Sequence, residues 1–227
     1  MLLSILSTVI AAPCLEYGPP QTLARTDSSP VTESSGIAAS RRHPGAWFTH
    51  DDSGGGPEIH AFRLDGSYLG RHLVQGAGSF DWEDMAAGPC PGIEGDCLYL
   101  ADTGDNFRIR PHVTVYAVEE PEELGPPEHE RAPLPVIQSW KLVYPEGKPD
   151  VETLLVHPLT GAITLVTKEA GGGSLVYRAP AAPTEDPQIL ERIAELHIEG
   201  LTMQERMITG GGWQAQGETV ALRSYVR

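Results

Sequence analysis

Cysteine is scarce in this chain: three in 227 residues, with no CxxC pair and no HExxH run, which removes the common zinc arrangements. Basic residues are few as well. Against 31 acidic side chains stand 16 Lys and Arg, a formal net charge of −15. Phosphate backbones and anionic headgroups are bound through Lys/Arg neutralisation, so nucleic acid is excluded as a partner. No apolar run is long enough to cross a bilayer as a helix. No GxSxG stretch marks a serine-hydrolase elbow, so Ser35 and Ser53 have no support as nucleophiles.

What the chain has in quantity is turn residues. Gly 25 and Pro 20, scattered through a chain of 40% hydrophobic content, punctuate many short strands. A degenerate phrase recurs: ESSGIAASRRHPGAWFTHDD from Glu33, DWEDMAAGPC and CLYLADTGDN from Asp81, DVETLLVHPLTGAITLVTKE from Asp150, and a weaker ITGGGWQAQGETVALRSY from Ile208. The first three are each followed by another short apolar strand, EIHAF, VTVYAV or SLVYRA. Units of several antiparallel strands without a helical period predict an all-β chain, a β-propeller with three recognisable blades and a partial fourth. The blades fall at 33–75, 81–144, 150–198 and 199–227, and the partial unit predicts a ring that needs further blades or a partner to close. One contrary signal is ILERIAEL, whose apolar spacing suits a short helix.

Upstream, Leu2 to Ala12 form an apolar run ending in small residues, which predicts a signal peptide over 1–11 and a secreted, periplasmic or cell-surface protein. Cys14 follows Pro13, where a lipobox wants Gly, Ala or Ser, so plain secretion is preferred to lipid anchoring. Residues 12–32 are expected to be a linker or an edge strand, and 33–227 the propeller domain. Cys90 and Cys97 bracket PGIEGD, a hairpin turn that brings them together, and a disulfide fits an oxidising compartment.

In a propeller, equivalent positions of successive blades meet around one axis. Asp81 and Glu83 in DWED align with Asp150 and Glu152 in DVET, and Asp102, Asp105 and Asn106 follow at strand ends. These seven oxygen donors are the candidate ligands of a hard cation, calcium. His50, Asp51, Asp52, Arg108 and Lys168 are candidates for contacting a ligand. The competing explanation is turn chemistry, since Asp, Asn and Gly cap turns in any β protein. Trp47, Trp82 and Trp213 are expected in the core.

The strings SGIAASRRHPGAWFTHDDSG, DWEDMAAGP, YLADTGDN and DVETLLVHPLTG together resemble secreted bacterial β-propeller proteins, largely uncharacterised, that are similar to phytase-like and esterase-like propellers. The resemblance implies acidic residues holding calcium at the mouth, with Lys168 or Arg108 reaching an anionic substrate group. Three functions are therefore expected: a binding module with a calcium-holding mouth for a small-molecule or protein ligand, a calcium-dependent phosphoester or ester hydrolase, or a protein-interaction scaffold. Whether the chain is an enzyme is left open by its residues.

Overall fold

The structure is a computed structural model that describes residues 21–26, 31–125, 131–200 and 202–225. The signal peptide expected over 1–11 lies outside them, as does most of the expected 12–32 linker. Two four-strand meanders come first: β1 (Ser34–Ala39), β2 (Ala46–Asp51), β3 (Glu58–Arg63) and β4 (Tyr68–Gln75), then β5 (Trp82–Pro89), β6 (Asp96–Asp102), β7 (Val113–Glu119) and β8 (Leu134–Val143). A third follows as β9 (Val151–Val156), β10 (Ile163–Thr167), β11 (Gly173–Arg178), the two-residue β12 (Gln188–Ile189) and β13 (Glu191–His197). The described residues end with the short helix α1 (Met203–Arg206) and the hairpin β14 (Ile208–Trp213) and β15 (Val220–Ser224).

The strands lie where the apolar runs and Gly/Pro turns put them, but the expected propeller of separate blades is not what they build. β4 and β8 pair in parallel at Val74↔Leu134 and Gln75↔Pro135, which joins the first eight strands into one sheet, ordered β1-β2-β3-β4-β8-β7-β6-β5. Its two ends return to each other. Ser35 Oγ donates to the Glu83 carbonyl at 2.7 Å, and Gly36 packs so closely on the Met85 amide that a Cβ there would lie 2.5 Å from it. No ladder joins β1 to β5, so the result is a nearly closed eight-stranded barrel with one seam. β12 adds to β8 at its side, and β13-β11-β10-β9 and β14-β15 form two small antiparallel sheets. The expectation that further blades or a partner must close a ring falls with the propeller, because this sheet nearly closes on itself.

Burial follows from the layers. Phe48, Ile59, Val74, Trp82, Met85, Leu98 and Leu100 form one core between the first two meanders. Tyr99, Val115, Trp140, Leu142, Leu154 and Leu165 form a second, shared with the third sheet. β9 is buried at every position of VETLLV because both of its faces meet apolar neighbours, Leu154 on one side and Leu155 on the other. Trp82 lies in the core as expected, while Trp47 and Trp213 are only half-buried. The helical spacing of ILERIAEL is overridden: this stretch is β12 and β13, and β13 pairs with β11 from Gly173↔His197 to Arg178↔Glu191. Its outward Glu and Arg side chains blunt a sheet edge. Cys90 and Cys97 are joined in a disulfide across the expected turn. Among the described residues, no helix is long and apolar enough to cross a membrane.

Candidate functional site

The site begins with a bulge. Between β5 and β6 the register jumps from Trp82↔Asp102 to Asp84↔Ala101, leaving Glu83 without a partner. An extra residue in one strand kinks it and re-aims its side chain. Here the bulge brings Glu83 to the Asp81 carboxylate, and Asp52, just past the end of β2, joins them. One oxygen from each of Asp52, Asp81 and Glu83 lies within 4.8 Å of the other two. Gly104 makes this convergence sterically possible, since a side chain at that position would run into Asp81 Oδ2 and Glu83 Oε1. Gly104 N–H also donates to the Asp81 carbonyl at 3.1 Å, fixing the loop against the pair.

Electrostatics follow from this crowding. Burial, reinforced by Glu152, Asp52, Asp81 and Asp150, pushes the Glu83 carboxyl up to about 9. Asp81 is pushed up to about 6 by burial and by Asp52 and Asp150, with Arg110 giving partial relief. No ion pair to Asp81 or Glu83 occurs among the described residues, so a proton or a cation must offset their repulsion. Three carboxylates on one spot have the hard-oxygen chemistry that chelates a metal ion.

The other expected ligands do not converge there. Asp150 and Glu152 are held by Lys168, whose Nζ lies 2.9 Å from Asp150 Oδ2 and in close contact with Glu152 Oε1. Glu152 is, like Glu83, a bulged residue, skipped between Thr153↔Val166 and Val151↔Thr167. Asp102 bonds Arg110 at 2.9 Å and accepts from the Asp81 amide at 3.0 Å. Asp105 accepts from the amides of Ile109 and Arg110, and Asn106 is exposed. Of the seven expected donors, Asp81 and Glu83 lie with Asp52 in the three-carboxylate cluster, and the propeller mouth expected to gather the seven is not formed. Asp150, Glu152 and Asp102 are engaged by cations, and Asp105 makes local turn bonds to backbone amides.

Of the expected ligand contacts, Asp52 is in the cluster. Asp51 accepts from the Thr32 and Glu33 amides at 2.8 Å each. His50 is buried edge-on against Trp82, and its Nδ1 donates to the Asp51 carbonyl; burial lowers its pKa. Arg108 is exposed, 4.0 Å from Glu169, and Lys168 is spent on Asp150 and Glu152. Asp84 is a participant that strand spacing alone did not reveal. Its buried carboxyl, pushed up to about 8 by burial, accepts from the Met85 and Leu154 amides and ties β5 to β9. Gly104 was equally silent, because a glycine at a strand end is ordinary until its neighbours are known.

No family model and no curated protein matches this chain. Among solved structures, a chain described as "Crystal Structure of Mitotic Checkpoint Complex" aligns at 9% identity and a TM-score of 0.38, covering 83% of this chain. This chain spans about 60% of that chain's length, and so weak a likeness says nothing of fold or function. It is the single, nearly closed sheet that corrects the expected membership among phytase-like and esterase-like propellers, and the propeller binding module, the phytase-like hydrolase and the propeller scaffold go with it.

Proposed function

We propose that this chain binds a divalent cation, calcium, through Asp52, Asp81 and Glu83 beside the barrel seam. The observation that carries the reading is the approach of three carboxylate oxygens to within 4.8 Å of one another without a basic partner for Asp81 or Glu83 among the described residues. Calcium takes six to eight oxygens in flexible geometry, and an all-carboxylate donor set favours it over softer metals. Export under a signal peptide at 1–11 fits the same reading. The Cys90–Cys97 disulfide suits an oxidising compartment, and extracellular calcium modules work at roughly millimolar affinity.

Thermal unfolding of the full chain in calcium or in chelator tests it. A cation at a hundredfold excess over Kd stabilises the native state by about 2.7 kcal/mol, a rise in Tm of roughly 5–10 °C for a domain of this size. A cooperative transition at the same temperature in both buffers would overturn the proposal.

A further inference from the structure

We propose that the loop 105–111, with Phe80 beside it, is a tip that docks this protein on an anionic lipid surface when calcium is bound; the calcium dependence rests on the cation site proposed above.

Phe107 is 84% exposed, Ile109 63% and Phe80 61%. Three large apolar side chains around one loop are unusual on a surface that faces only water. The loop is not slack. Arg108 N–H donates to the Asp105 carbonyl at 2.8 Å, and the Asp105 carboxylate receives the Ile109 and Arg110 amides at 2.8 and 2.9 Å. Arg108 itself is held at φ 56°, in the left-handed region. The Arg110 guanidinium lies over the Phe80 ring, 4.9 Å from its centroid, so Phe80 belongs to the same surface. A tight turn therefore holds Phe107, Arg108 and Ile109 outward.

The charges name the occupant. Arg108 is exposed on the tip, and Lys148 reaches the Ile109 carbonyl at 2.9 Å. Apolar side chains flanked by cations match the boundary between acyl chains and phosphate headgroups. The chain's net charge of −15 opposes that approach unless a cation intervenes. The tip and the carboxylates share one end of the molecule: Gly104, which presses on Asp81 and Glu83, directly precedes the loop, and Phe80 directly precedes Asp81. A divalent cation taken up by Asp52, Asp81 and Glu83 would cancel negative charge next to the tip and so lower the repulsion that opposes an anionic surface.

The test is co-sedimentation of the full chain with vesicles of phosphatidylcholine alone or with added phosphatidylserine, in calcium or in EDTA, beside calcium-dependent Tm without vesicles. Sedimentation is expected only with phosphatidylserine and calcium together. Phe107→Ser and Ile109→Ser should each lower the bound fraction about tenfold or more while leaving the calcium rise in Tm intact. Equal binding by these variants, or equal binding to neutral vesicles, would overturn the proposal. A calcium rise in Tm without sedimentation would overturn the lipid surface and leave the cation site standing. Binding in EDTA with no calcium effect on Tm would overturn the cation site and its coupling to the tip.

Discussion

Glu83 and Glu152 hold the same place in successive meanders, each skipped by a bulge in its strand, yet only Glu152 has a lysine against its carboxylate. Lys168 neutralises Glu152 and Asp150 together. Glu83 instead faces Asp52 and Asp81, and this asymmetry sets the three-carboxylate cluster, the proposed cation site, apart from the other acidic residues.

The first consequence concerns Glu83→Gln. In the metal-free protein Glu83 holds its proton to about pH 9, so near neutrality the fold bears the cost of keeping a carboxyl protonated or crowding it with like charge. The amide removes that cost. Urea unfolding at pH 7 in chelator should show the variant more stable by about 1–3 kcal/mol, while the calcium-dependent rise disappears.

The pH dependence follows with the same sign. Glu83 moves from 4.5 to about 9 on folding, and Asp81 from 3.8 to about 6. A raised carboxyl stabilises the fold fully below its unfolded value, and that stability is lost as pH rises through the folded value. In EDTA, unfolding free energy should fall progressively from about pH 4 to pH 9. Saturating calcium should flatten that decline, because metal binding expels the protons.

Gly104→Ala tests the cradle. A methyl group there collides with the Asp81 and Glu83 carboxylates, and crowding a packed site costs about 1–3 kcal/mol. Denaturation in chelator should show that loss with a cooperative transition retained. Calcium titration followed by Tm should show little or no response, since the two carboxylates are driven apart.

Lys168→Met should be the most damaging of these changes. Burial opposes the charged amine, but its bonds to Glu152 and Asp150 outweigh that and hold its pKa raised. Removing it strands two buried carboxylates, a loss of about 3–5 kcal/mol. Adding Glu152→Gln should recover part of it, and a double-mutant cycle by urea unfolding measures the coupling.

Local structure was largely legible in the residues. Runs such as AWFTH and VTVYAV became β2 and β7, and PGIEGD became the disulfide-closed turn. The connection of meanders was not legible, because it rests on a two-residue parallel contact, Val74↔Leu134 and Gln75↔Pro135, that no periodicity announces. The likeness of DWED to DVET was a true local repeat: both carry a bulged glutamate. Their fates differ because Lys168 follows β10, whereas Gly104 occupies the approach to Glu83. Asp105 makes the local turn bonds its residue type favours, to the Ile109 and Arg110 amides, whereas Asp102 is engaged across the sheet by the Asp81 amide and by Arg110.

Calorimetric titration of the full chain with calcium tests the central claim most directly. The account predicts one ion bound per chain, with the heat abolished in Asp81→Asn and Glu83→Gln and unchanged in Asn106→Ala. Absence of binding heat together with an unchanged Tm, or heat that survives both carboxylate substitutions, would contradict it.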